Sequence, residues 1–383
     1  MEIHMKQSKT SQGKNILEGT PTVISTRALN RALLARQMLL TREQLPVLNA
    51  VERLVGMQAQ DPNAPYFGLF ARLEQFLPEE LSQLIQDRKV VRIALMRSTI
   101  HLVSSHDCLY LRPLVQSVHE RGLKGSYGKY IYNLDVKEVA KAGRTMVETK
   151  PLTFKELGKQ LNDKWPDFDP AALAAVVRTS VPLVQLPPRG LWGESGQAVH
   201  TSAEAWLGNS LSSKSVLDDM ILRYLAAFGP ASVQDIQTWS GLTRLSETVE
   251  RLLPQLVNFH DNQGNELFDI PDAPRPDENI LSPPRFLGGF DNMLLSYANR
   301  KRIIDEDYHK LVFTKNGIIK PTILIDGFVS GIWKVKREQG ILKLIIQLFK
   351  QLSNHEYNTL TDEGSRLLDF ITSEEVPREI VFL

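Results

Sequence analysis

The sequence predicts an α+β fold: three tandem winged helix-turn-helix domains followed by a small β-rich, barrel-like C-terminal portion. Three observations carry this. Helices followed by a strand pair recur three times along the chain. A Pro-rich stretch, residues 271–284 (PDAPRPDENILSPP), then interrupts the pattern. Beyond it, Thr322 to Trp333 reads as a tight hairpin turning at Asp326-Gly327.

The first unit opens at Thr26, a plausible N-cap, and its helix runs to Leu40 with Leu29, Leu33 and Leu34 at helical spacing. Pro46 opens a second helix that the apolar spacing carries from Val47 to Met57. The segment Gln58 to Tyr66 follows, and Pro62 and Pro65 make it non-helical. Pro78-Glu79-Glu80 starts a short helix, Leu81 to Asp87, with carboxylates where the helix dipole favours them. Val90 to Ile93 and Thr99 to Val103 then read as strands. In the second unit, Thr153 to Leu161 and Ala171 to Thr179 are helical. Val181 to Leu186 and Gly196 to His200 are the strands. The third unit is the clearest: helices Val216–Phe228, Ser232–Trp239 and Ser246–Leu253, then strands Leu256–Phe259 and Glu266–Ile270 about a turn at Asp261–Asn265. In the C-terminal portion, Leu342 to Phe349 fits a strand or a short helix, and Thr361 to Ile371 a closing helix. The domain boundaries are a disordered tail 1–25, winged helices 26–148, 149–213 and 214–275, and a C-terminal domain 285–383.

Composition is that of a globular chain, 42% hydrophobic and 23% charged over 383 residues. No apolar run is long enough to span a bilayer and no start resembles a signal peptide, so a cytoplasmic protein without a membrane partner is expected. The single cysteine, Cys108, forms no internal disulfide and reads as a packing residue. Net charge is only +1, but its distribution is uneven. Residues 1–150 carry 21 Lys and Arg against 14 Asp and Glu, and residues 151–280 carry 10 against 17. Basic flanks around an acidic middle permit a polyanion-binding face.

The spacing of His101, His106 and Asp107 fits no zinc pattern, and no phosphate loop, dinucleotide fingerprint or nucleophile elbow is present, so neither metal nor cofactor is expected. Basic side chains are better placed for a binding role. Arg92, Arg97 and Arg112 flank the first strand pair, and Arg300, Lys301, Arg302, Lys334, Lys336 and Arg337 decorate the C-terminal portion; all nine are expected to contact DNA phosphates. The unusual stretch is Gln58-Ala59-Gln60. In an extended backbone the two glutamines share one side and Ala59 and Asp61 the other. Such amides either brace the loop or hold a water. They cannot act as a base near neutral pH, but they can orient a nucleophile and offer a carbonyl to developing positive charge.

LNRALLARQMLLTR (29–42), VERLVGMQAQDPNAPYFGLFARL (51–73) and VVRIALMRSTIHLVSSHDCLYLRP (90–113), with 222–245, 286–304 and 320–337, resemble the AlkZ/YcaQ family of bacterial DNA glycosylases. The resemblance implies a C-shaped molecule of three winged helices plus a barrel-like portion, acting as a monomer on double-stranded DNA without an obligate protein partner. It implies a glutamine–hydrophobic–glutamine catalytic motif, matched by Gln58-Ala59-Gln60 with a small middle residue. The other branch of the family has aspartate at the second position, so Gln60 places the chain on the AlkZ-like side. Excision of cationic N7- or N3-alkylpurines, including bulky adducts or cross-linked bases, and a DNA-engaging hairpin with Thr322–Trp333 as one candidate, are likewise implied. The alternative from the repeated units alone is a non-catalytic DNA-binding regulator, dimeric and reading half-sites.

Overall fold

The computed structural model describes residues 22–214, 216–372 and 374–383; most of the expected disordered tail lies outside them. The fold is mixed α/β. Among the described residues the strands form three sheets.

The first helix, Thr26–Arg36, holds these parts together. Ser25 caps it by accepting from the Ala28 N–H at 3.0 Å. One face is apolar, but Asn30, Arg31, Arg36 and Gln37 are also buried. The Asn30 amide donates to the carbonyls of Arg302 and Gly327, both at 2.8 Å. Arg31 donates to the Ile280 carbonyl at 2.6 Å and pairs with Asp326. Arg36 grips Asp269 with two bonds of 2.7 and 2.8 Å, and Gln37 donates to the Ala227 carbonyl at 2.7 Å. The Pro-rich stretch is therefore fastened to this helix. The helix ends four residues before the expected Leu40, because Met38 takes a left-handed φ of 57°.

The largest sheet has the strand order Met57–Gln58, Ile100–Ser104, Val90–Ala94, Leu183–Gln185, Val199–Ser202, Leu152–Thr153, antiparallel throughout. Ile93 pairs with Val184, so one continuous sheet joins the first two expected units. In the third unit the hairpin strands Val257–Asp261 and Glu266–Asp269 gain a parallel edge strand, Val23–Ile24. That corrects the tail boundary: residues 23 and 24 are ordered by backbone pairing. Helices Ser105–Leu114, Gln116–Tyr127 and Val136–Thr149 occupy a span for which no element was expected.

The C-terminal portion is β-rich but not a barrel. Its sheet is open, in the order Arg285–Leu287, Thr322–Ile325, Phe328–Glu338, Ile341–Leu348, Arg378–Phe382. The helix Asn354–Ile371 crosses between the last two strands, which are parallel. A crossover of that kind sets the last strand on the outer edge, far from the first, and closure is lost. The sheet shares a core with the first unit, where the Phe67 ring meets Trp333 at 5.2 Å and Trp192 at 5.7 Å, edge-on in both cases.

Asp269 is fully buried and shared by Arg36 and Arg275. Asp269→Ala leaves Arg36 buried without an anion and is expected to cost about 3–5 kcal/mol of unfolding free energy. Chemical denaturation checks this, and a loss below ~1 kcal/mol would show that the helix is not fastened by that pair.

Candidate functional site

The second helix, Val47–Arg53, stops short of the expected Met57 because the chain reverses at Val55 and Gly56, with φ of 53° and 83°. A side chain at Gly56 would also meet Val103 at 2.5 Å. The reversal delivers Met57–Gln58 antiparallel to the strand Ile100–Ser104, with Gln58 opposite His101. The Ala59 N–H continues the ladder to the Ile100 carbonyl at 2.8 Å. Asp61 then accepts from the Asn63 N–H at 2.9 Å, and the helix Ala64–Arg72 begins at once, with Pro65 in its first turn. The expected non-helical stretch thus ends earlier than Tyr66. Proline needs no N–H partner there, which is why it is tolerated.

A side chain from the C-terminal portion holds this strand. Asn292 donates to the Gly56 carbonyl at 2.7 Å and accepts from the Gln58 N–H at 3.0 Å, gripping the backbone on both sides of Met57. Its neighbour Asp291 makes two 2.8 Å bonds to Arg72, on the helix that leaves the glutamine segment. Both partners of that ion pair are buried.

The two glutamines do not stand side by side in solvent as alternation suggested. Gln58 is only 6% exposed, and its carbonyl oxygen accepts from the Arg97 guanidinium at 2.8 Å. Arginine is donor-only, so the amide orientation is forced: oxygen toward Arg97, NH2 away. Gln60 is exposed, with its carbonyl 3.4 Å from the Ile100 N–H, a long contact that a water can displace. Ala59 between them is fully buried, and its carbonyl accepts from Arg92 at 2.9 Å.

Arg97 sits at the tip of the strand pair, where Arg97 and Ser98 both adopt left-handed φ, 54° and 59°. Its other nitrogen donates to the Trp239 carbonyl. Burial and the neighbouring Arg300 push its pKa down to about 10, so it stays charged at neutral pH. Two further arginines converge on the same turn: Arg178 donates to the Ser98 carbonyl at 3.1 Å, and Arg121 to the carbonyl of Gly241, which packs against Arg97. Beneath it, burial and nearby cations push His101 and His119 down to about 3, so both are neutral imidazoles. Burial pushes the Cys108 thiol up to about 12, which leaves it an unreactive packing group.

The remaining expected phosphate contacts divide. Arg92, Arg112 and Arg302 are 2%, 2% and 6% exposed and bond to carbonyls within the protein. Arg92 belongs to a strand whose two faces are both covered. Arg300 is half-buried over the Phe313 ring. Lys301, Lys336 and Arg337 are exposed and paired with Glu306, Glu338 and Glu374, while Lys334 is exposed. The turn of the hairpin Thr322–Trp333 packs on the first helix, with Asp326 paired to Arg27 and Arg31 and Gly327 against Asn30. Asn292, Arg121 and Arg178 were missed: Asn292 is 234 residues from its strand partner, and the two arginines lie on helices with no outward sign of convergence.

Known proteins resemble this chain in sequence and fold. The family described as "DNA glycosylase AlkZ-like" matches residues 51–370. The interstrand DNA cross-link repair glycosylase of Streptomyces sahachiroi is 23% identical over 342 residues, spanning 80% of this chain and 87% of that protein. The solved structure of Streptomyces sahachiroi DNA glycosylase AlkZ superposes with a TM-score of 0.77 at 20% identity, covering 94% of this chain and all of that one.

Removing the two-sided grip by Asn292→Ala leaves a buried carbonyl and a buried N–H unpaired. The expected result is a loss of about 1–3 kcal/mol, with accelerated hydrogen exchange at the Gln58 amide. Unchanged exchange at Gln58 would show that the strand is held by its ladder alone.

Proposed function

The chain belongs to the AlkZ-like family of DNA glycosylases, and from that premise we propose that it hydrolyses the N-glycosidic bond of cationic N-alkylated purines in double-stranded DNA. The observation that carries the proposal is the Gln58-Ala59-Gln60 segment, with one amide pinned by Arg97 and the other at the surface, where its carbonyl makes only a long 3.4 Å contact with the Ile100 N–H. In this reading the units 26–148, 149–213 and 214–275 are winged helices arranged around DNA, and the protein acts as a monomer.

Alkylation at N7 or N3 leaves the purine ring positively charged. The C1′–N bond can then break with its electron pair moving onto the base, which departs neutral, so no general acid is required. The sugar becomes oxocarbenium-like, and a water oxygen bonds to C1′ while its proton passes to solvent. The NH2 of Gln58 points away from Arg97 and can donate to that water, while the Gln60 carbonyl accepts one of its hydrogens. A donor and an acceptor together fix the water's orientation with a lone pair toward C1′. The exposed position of Gln60 supports an open site, suited to bulky adducts or to one base of an interstrand cross-link rather than a snug pocket around a flipped base.

The test is release of 7-methylguanine from methylated duplex DNA under single turnover. Wild type is expected to release it, and Gln58→Ala, Gln60→Ala to be slower by about 10²-fold. Failure of wild type on both 7-methylguanine and a bulkier N7 adduct would overturn the enzymatic reading. Equal rates for wild type and the double variant would move the site elsewhere. Amides do not titrate, and His101 and His119, with pKa near 3, stay neutral above pH 5, so the rate should be flat from about pH 6 to 8.5. A bell-shaped profile would implicate an ionising group in place of the amides.

A further inference from the structure

We propose that Arg97, Arg121 and Arg178 form a binding site for a single DNA backbone phosphodiester beside the glutamine pair, and that this phosphate neutralises the charge next to Gln58 during the reaction. The inference rests on the glycosylase reading and deepens it by naming what the arginines hold.

Arg31, Arg36, Arg42 and Arg72 each meet a carboxylate, whereas the buried Arg92, Arg112, Arg285 and Arg302 bond to carbonyl and amide oxygens inside the protein. The arginines around the Arg97–Ser98 turn also lack a carboxylate, but unlike those four they are not fully buried. Three guanidiniums arrive from three elements: the strand tip, the helix Gln116–Tyr127 and the helix Pro170–Ser180. Among the described residues none of the three pairs with a carboxylate. They bond instead to the carbonyls of Trp239, Gly241 and Ser98 and to the Gln58 amide. Arg300 adds a fourth positive charge, and it acts to lower the Arg97 pKa.

These contacts use few of the five N–H groups that each guanidinium carries. Arg121 is exposed and Arg97 and Arg178 are half-buried, so the cluster opens toward solvent. Donor-only cations gathered on one turn, partly exposed and without a carboxylate, match a phosphodiester, which supplies a full negative charge and acceptor oxygens in several directions. Base edges mix donors with acceptors and carry no net charge, so they fit it poorly.

The turn is built to keep the group in place. Both Arg97 and Ser98 hold left-handed φ, a conformation that side chains rarely adopt and that surrounding structure must enforce. Gly241, with φ of 80°, ends the helix Val233–Ser240 where a Cβ would lie 3.1 Å from the Arg97 Cα. Carbonyls at that helix C-terminus orient Arg97 and Arg121, as its dipole favours.

The chemistry makes a counter-ion useful. Positive charge grows on the sugar as the bond breaks, and a bare guanidinium bonded to Gln58 opposes that growth. A phosphate between them reverses the sign of the interaction. An alkylated nucleoside without backbone phosphates should therefore be a poor substrate even at saturation.

The test uses the full chain and duplexes holding one 7-methylguanine, with single methylphosphonate linkages placed in turn at the positions flanking it. Wild type is expected to lose about 10-fold or more in both affinity and single-turnover rate at one position. Arg121→Ala and Arg178→Ala should be weaker on ordinary DNA, yet lose little further at that position. Arg121→Gln keeps a donor for the Gly241 carbonyl without the charge. It should behave like Arg121→Ala if phosphate binding matters, and like wild type if Arg121 only caps the helix. Fully multiplicative losses in the variants, or no sensitive position in wild type, would overturn the proposal. The affinity arm decides the matter even if no base is released, so failure of the glycosylase reading is seen separately.

Discussion

The arrangement of the candidate site depends on one hydrogen-bonded side chain, Asn292, and on the buried ion pair that anchors it. Asn292 satisfies the Gly56 carbonyl and the Gln58 N–H at once, at 2.7 and 3.0 Å. Met57–Gln58 is otherwise a two-residue edge strand, and edge strands of that length are held weakly. The anchor is the Asp291–Arg72 pair, and Arg72 also donates to Gln37 at the end of the first helix. A chain of contacts therefore runs from the first helix through Arg72, Asp291 and Asn292 to Gln58. Each member is buried, so each must be satisfied or the structure is destabilised.

That chain explains why so much polar surface is buried in the first helix. An ion pair in the interior gains little net stability over well-packed apolar residues, because desolvation offsets most of the attraction. What it supplies is a fixed geometry. Asn30, Arg31, Arg36 and Gln37 each find partners from different parts of the chain, and those partners fit in one arrangement only. The site lies where the first unit, the third unit and the C-terminal sheet meet, so it is precise only if those parts are. In this protein positional accuracy is carried by polar contacts, while the bulk of the stability comes from the shared apolar cores.

Much of the third unit was legible because its signals are local. Ser232 caps a helix and Asp235 completes the capping box, Gly241 ends that helix, and a Gly-containing turn joins two strands. The glutamine motif was legible through its resemblance, whereas its geometry was not. Whether Gln58 faces solvent depends on Arg97, thirty-nine residues away, and on a turn with two left-handed residues that no composition rule favours. The helices between residues 105 and 149 were hidden by Pro113 and by two exposed glycines, Gly122 and Gly125, which read as breakers but are accommodated. The open C-terminal sheet could not be told from a barrel because its last strand, Arg378–Phe382, is joined to its neighbour by a long-range parallel pairing.

The forced orientation of Gln58 also gives the two amides different duties under the proposed mechanism. Arg97 occupies the Gln58 oxygen, so the group that Gln58 can offer a water is its NH2, a donor. Gln60 offers its carbonyl, an acceptor whose contact with the Ile100 N–H is a long 3.4 Å. A carboxylate can stand in for an acceptor but not for a donor, so the second position is the one where an acid could be exchanged for an amide without altering the water's orientation. The resembling family is divided at that position, with aspartate in the other branch. A carboxylate at position 58 would instead form an ion pair with Arg97 and point its remaining oxygen, not an N–H, toward the water. The asymmetry between the glutamines thus follows from the protonation chemistry of one neighbouring arginine.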